Sequence, residues 1–128
     1  MKKRALPPGL PYAGLTLRIL SRGERAMGPG KAELVERIAS TGSISAAARE
    51  MGMSYRRAWQ LVEAINASFR APVVVKVVGG TRGGGAAVTG YGRDLVRRFR
   101  AMEVKASRAV AKDLAVIQGE LKGAKGRP

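Results

Sequence analysis

Arg56, Arg57 and Gln60 lie close together in a stretch whose pattern predicts a helix over 54–69. Arginine and glutamine can each place two parallel hydrogen bonds on a base edge, arginine on guanine and glutamine on adenine. At ~100° per residue, Ala58, Leu61, Val62, Ile65 and Phe69 fall on one side, with Tyr55 near its edge. Arg56, Gln60 and Ala64 fall on the opposite side, flanked by Arg57 and Glu63. An amphipathic helix with a merely solvated charged face would show the same pattern. The surrounding elements therefore have to decide between the two.

Other chemistries are poorly served. The sequence has Cys 0 and His 0, so it offers no disulfide, thiolate nucleophile, imidazole base or usual zinc site. Lysine-activated serine chemistry would need an S-x-x-K pattern, which is absent. The glycine-rich run 79–85 (GGTRGGG) follows a predicted strand. It lacks the Lys-Ser/Thr that ends a phosphate-binding P-loop, and no G-x-G-x-x-G opens a helix. The expectation is a non-enzyme without cofactor.

The elements that must position the basic face form a helix-turn-helix over 42–69. A short helix is predicted after Ser45, read as its cap, and Gly52 closes it with the left-handed conformation that helix ends favour. Ser54 then caps the second helix, which runs until Pro72 excludes continuation. Upstream, LTLRIL at 15–20 alternates Leu15, Leu17 and Ile19 on one face of a strand. Residues 21–30 read as a turn-rich connector, and 31–40 as the first helix, with Leu34, Val35 and Ile38 at helical spacing.

Downstream, VVVKVV at 73–78 reads as a strand, 79–85 as a tip and 86–88 as the returning strand. A hairpin directly after a helix-turn-helix is a wing. The expected fold is mainly α with a small β-hairpin, a winged helix-turn-helix over 14–88. Candidate DNA contacts are Ser43, Ser45, Ser54, Tyr55, Arg56, Arg57 and Gln60, with Lys76, Thr81, Arg82 and Gly83 on the wing.

Thr89 is predicted to cap a long helix over 89–121. Leu95, Phe99, Met102, Val110, Leu114 and Ile117 continue an apolar stripe along it. If helical throughout, this segment is on the order of 50 Å long, more than a small core needs. It is read as the dimerisation helix, the alternative being that it folds back on its own domain. Residues 1–13 are read as a flexible basic and proline-rich arm, and 122–128 as a basic tail. The prolines at 7, 8 and 11 interrupt what would be the apolar segment of a signal peptide.

The 24 Lys+Arg and 9 Asp+Glu give a formal charge of +15 on 128 residues. Such an excess calls for a polyanionic partner, nucleic acid first and an anionic membrane surface second. Aromatic residues make up 5% of the chain, which weighs against base-stacking recognition of single strands. A sequence-specific regulator in the cytoplasm is favoured by the Arg/Gln face. An architectural DNA-coating protein is the alternative, and an RNA-binding accessory protein a third reading.

Several strings carry a family resemblance: GPGK at 28–31, GSISAAAR at 42–49, MSYRRAW at 53–59, GG at 79–80, GGGA at 83–86, and Val88-Thr89 with Gly92. Over roughly 15–103 the chain resembles the N-terminal DNA-binding domain of the ModE family of molybdate-responsive transcriptional regulators, a winged helix related to that of the LysR-type regulators. The resemblance implies a homodimer on a palindromic operator, with 54–69 as recognition helix and 73–88 as wing. Full-length members carry C-terminal molybdate-binding domains of the molbindin type, and this chain ends about where they would begin. The expectation is that molybdate sensing is absent, so that DNA is bound constitutively or the signal comes from a separate effector-sensing protein. Trp59 matches the family string but sits on the flank of its helix, where packing is the expected role.

Overall fold

A computed structural model describes residues 14–78 and 84–123. The arm 1–13 and the candidate contacts Thr81, Arg82 and Gly83 lie outside these residues.

The chain opens with a small hairpin. β1 (Ile19–Ser21) pairs antiparallel with β2 (Glu24–Met27), Ser21 opposite Glu24. The two turn residues, Arg22 and Gly23, both take positive φ, 53° and 83°. That combination matches the twist of a two-residue hairpin. The expected alternation survives, with Leu15, Leu17 and Ile19 half-buried and Thr16, Arg18 and Leu20 exposed, but the expected strand shortens: 15–18 have no strand partner and pairing begins at Ile19. The connector over 21–30 does not, because it contains β2. Glu24 and Arg25 are exposed while Ala26 and Met27 are buried, so pairing and burial make the strand without β-branched residues.

α1 (Pro29–Thr41) starts on a proline, whose missing N–H costs nothing in the first turn. It ends at Gly42, at φ 72°, whose N–H bonds the Ile38 carbonyl at 2.8 Å. α2 (Ile44–Met51) is capped by Ser43, not by Ser45. Ser43 Oγ accepts the Ala46 N–H at 3.0 Å, which turns Ile44 inward and leaves Ser45 exposed on the first turn. Gly52, at φ 71°, closes α2, its N–H on Arg49 O and the Met53 N–H on Ala48 O. This pair of bonds is a Schellman close. α3 (Tyr55–Ser68) is capped by Ser54 Oγ, which accepts the Arg57 N–H at 3.0 Å.

Asn66 joins α3 to the second hairpin. Its Nδ2 donates to Val74 O at 2.9 Å, and its Oδ1 accepts from Val73 N at 2.8 Å. β3 (Val74–Val78) then pairs antiparallel with β4 (Gly84–Val88). β4 is pinned to the α1–α2 turn, because the Ala86 N–H donates to Gly42 O at 2.9 Å. Gly85 allows that approach, since a Cβ there would stand 2.6 Å from the same oxygen.

α4 (Gly90–Ala109) is capped by Thr89 Oγ1, which accepts the Gly92 N–H at 2.9 Å and donates to Pro72 O at 2.7 Å. The stripe predicted over 89–121 divides. Gly92, Val96, Phe99 and Glu103 are buried in the chain's own core, whereas α5 (Ala111–Gly119) buries nothing. Val110 separates the two helices at φ −109° and ψ 13°. The ladder still runs through it, with Val110 N–H on Ala106 O and Leu114 N–H on Val110 O, so the long helix is bent rather than ended.

Phe99, Met27, Leu34, Ile38, Ile65, Val35 and Val73 are the largest fully buried side chains. They draw on both hairpins' bases and on α1, α3 and α4, so one core fixes the helix-turn-helix and the wing together. Among the described residues, no helix is long and apolar enough to cross a membrane.

Candidate nucleic-acid interface

The core sets the orientation of α3. Ala58, Val62 and Ile65 are buried, which turns Tyr55, Arg56, Gln60 and Ala64 outward. Arg56 and Gln60 stand one helical turn apart on that outward face, so both can reach into one groove. Arg57 is exposed as well, but on the flank toward β2, where it lines a cleft with Arg25 and Lys31. The Arg57 backbone N–H is already engaged by Ser54 Oγ.

The serines divide by role. Ser43 and Ser54 spend their hydroxyl oxygens on helix caps. Ser45 is exposed and holds no such bond.

The wing meets α3 through Lys76, whose Nζ lies 4.5 Å from the centroid of the Trp59 ring. Trp59 is half-buried and packs on the core, as its flank position implies. The stacking brings Lys76 of β3 alongside α3. A second stack sets Arg70 over Tyr91 at 4.8 Å, at the junction of the wing base and α4.

The charges are segregated. Arg100 holds Glu36 through two bonds, 2.9 and 3.0 Å, and Glu103 through one of 2.8 Å. Burial of Arg100 opposes its charge, but the bonds to Glu36 and Glu103 outweigh that and hold the guanidinium's pKa above its ordinary value. Arg37 bridges Glu50 and Glu33, each at 2.9 Å, and those two hydrogen bonds raise its pKa. These carboxylates sit on α1, α2 and the inner side of α4. Arg56, Arg57 and Lys76 have no ion-pair partner among the described residues. The α3 face therefore keeps its positive charge, as binding to a phosphate backbone requires.

Sequence reasoning missed two groups. Arg18, Arg25 and Lys31 join Arg57 only because β2 folds back on β1, and the Arg22-Gly23 pair was the available signal. Asn66, which bonds the wing's first strand, gave no periodic signal at all. The stripe residues are also distributed. Phe99 is buried within its own chain, Leu95, Val110 and Leu114 are half-buried, and Met102 and Ile117 are exposed.

Two capped helices, α2 and α3, around the turn at Gly52, with a following hairpin hydrogen-bonded to Gly42 ahead of α2, make this a winged helix-turn-helix. Residues 30–93 match the bacterial regulatory helix-turn-helix proteins of the lysR family. The chain belongs to that family of DNA-binding transcriptional regulators, and its helix-turn-helix is of the ModE-like kind. It is 43% identical over 103 residues to the molybdenum-pterin-binding protein MopB of Rhodobacter capsulatus, covering 80% of this chain and 37% of the relative. It is 39% identical over 80 residues to the molybdenum transport protein ModE of Azotobacter vinelandii, 62% of this chain and 30% of that one. Identity to the DNA-binding transcriptional dual regulator ModE of Escherichia coli K12 is 37% over 71 residues, 56% of this chain and 27% of the relative. The chain thus matches well under half the length of each of these relatives.

Proposed function

We propose that this chain binds a palindromic DNA operator as a homodimer and regulates transcription from the cytoplasm, without itself catalysing a reaction. The observation that carries the reading is the pairing of an outward Arg56/Gln60 face on α3 with a wing cation, Lys76, stacked beside it on Trp59. Arg56 and Gln60 read base edges in the major groove, while Lys76 and Arg57 hold phosphates.

The dimer is supported by the far end of the long helix. Val116, Ile117 and Leu121 are 68, 60 and 58% exposed. Pairing two such ends covers them and holds two recognition helices for half-sites about one turn of DNA apart.

In this reading no molybdate cofactor is needed, and DNA is bound constitutively or under a signal from a separate effector-sensing protein. The formal charge of +15 favours a second reading, sequence-independent coating of DNA. Selection of binding sites from random duplex at two salt concentrations separates the two. A palindromic consensus retained at the higher salt supports the operator reading, and its absence at both supports coating.

A further inference from the structure

Between the β1–β2 hairpin, the start of α1 and the turn from α2 to α3 lies a cleft of about 400 Å³. Four cations ring it: Arg18 from the segment just before β1, Arg25 from β2, Lys31 from α1 and Arg57 from α3. No acidic residue lines it, and none of the four has a carboxylate at ion-pair distance among the described residues. Lys31 Nζ does reach the Arg25 carbonyl, at 2.6 Å. Burial, then repulsion from Arg25 and Arg57, lowers the Lys31 pKa, while Glu24 acts the other way. The cations here are crowded, and none of them is in an ion pair among the described residues.

The floor differs from the rim. Met51, Met53 and Leu61 are half-buried and line the cleft beside the fully buried Met27. A backbone phosphate resting on a basic rim has no use for such a floor. A pocket of this size with an apolar base and a few convergent polar groups is the ordinary form of a small-molecule site. Methionines also adapt to varied apolar shapes.

We infer that this cleft binds a small organic anion, a carboxylate or phosphate ester carried on an apolar body, and that the bound anion competes with DNA for Arg57. The anionic group sits among Lys31, Arg25 and Arg57, and the apolar body lies on the Met51, Met53 and Leu61 floor. Because Arg57 belongs to α3, occupation of the cleft withdraws one cation from the DNA-facing surface. The competition rests on the DNA-binding reading above; the binding does not.

The test titrates the ¹⁵N-labelled full chain with phenyl phosphate and, separately, with inorganic phosphate at matched ionic strength. Saturable shifts are expected at the amides of Gly28, Lys31, Met51 and Met53. Inorganic phosphate should bind at least roughly tenfold more weakly, because it leaves the apolar floor uncovered. Lys31→Gln should weaken phenyl phosphate roughly tenfold, and Lys31→Arg should retain it. Equal affinity for the two probes would mark a bare phosphate site of the kind a DNA backbone fills, and would overturn the inference. So would the absence of saturable shifts, or a Lys31→Gln chain that binds unchanged.

In a second arm, phenyl phosphate should weaken duplex binding by the wild type more than by Lys31→Gln, and equal weakening overturns the competition. Failure to bind duplex without any probe would instead sink the DNA-binding reading and leave the titration standing.

Discussion

Lys76 on the wing lies over the ring of Trp59 on α3, its Nζ 4.5 Å from the ring centroid. A partly exposed stack of this kind contributes about 0.5–1 kcal/mol. It also limits where the Lys76 ammonium can go, so the wing's charge is delivered beside the recognition helix. Lys76→Ala should weaken binding to all duplexes alike and lower the salt slope by about one. Trp59→Leu should produce part of the same loss with Lys76 intact. In a double-mutant cycle on DNA affinity, a coupling close to zero would show that the stack does not position the lysine.

Arg56 and Gln60 should behave differently from Lys76. Arg56→Ala is expected to cost about 1–3 kcal/mol on the selected operator and much less on random duplex. Arg57→Ala, on the cleft flank, should cost similar amounts on both. Competition binding on the two DNAs checks this, and an Arg56 loss that is equal on both would assign Arg56 to phosphate.

The buried carboxylate of Glu103 makes Arg100 a stability determinant. Glu103 is 6% exposed and its bond to Arg100 is 2.8 Å. Arg100→Ala removes that partner and also the two bonds to Glu36. Breaking a buried pair from one side typically costs about 3–5 kcal/mol. Arg100 remains 15% exposed at the side chain, so the lower end is expected. Denaturant unfolding measures it. A change below ~1 kcal/mol would mean that water reaches Glu103 readily.

Gly92 is expected to be intolerant of a methyl group. A Cβ there would stand 2.6 Å from the Val73 carbonyl oxygen and 2.8 Å from Val73 Cγ1. The oxygen belongs to backbone and cannot swing aside, so Gly92→Ala should destabilise by about 1–3 kcal/mol despite alanine's better helix propensity. Gly90→Ala, with nothing within 4 Å, is the control and should be neutral or slightly stabilising. Equal thermal midpoints for the two variants would show that α4 shifts freely on the wing base.

The dimer is tested at α5. Ile117→Glu places a charge on a side chain that is 60% exposed in the single chain, so the fold should survive. Sedimentation should show a dimer for the wild type and a monomer for the variant, with operator affinity falling although α3 is untouched. A wild-type monomer at high micromolar concentration would sink this proposal.

The helix-turn-helix was legible because its caps, turn glycines and apolar period act locally and agree. Even there the cap moved from Ser45 to Ser43. Both serines in Gly-Ser-Ile-Ser can cap, and what chooses is the burial of Ile44, a tertiary effect. β2 was hidden for the same kind of reason, since Glu24 and Arg25 become a strand by facing β1. The bend at Val110 has no glycine or proline to announce it. It comes about two helical turns beyond Glu103, the last buried residue of α4. The Arg56/Gln60 face could be read from helical angles alone, but the Lys76–Trp59 stack and the four-cation cleft join segments distant in sequence.

The single bond from the Ala86 N–H to Gly42 O has a mechanical consequence. It fastens the wing to the turn between α1 and α2, while Asn66 fastens the wing's other strand to the end of α3. The chain is thus a caliper locked at a set opening, with α3 as one jaw and the hairpin as the other. On the proposed DNA-binding reading, a duplex whose grooves do not match that opening must itself bend or twist to be held, and the mechanical softness of a DNA sequence then becomes part of what this domain measures.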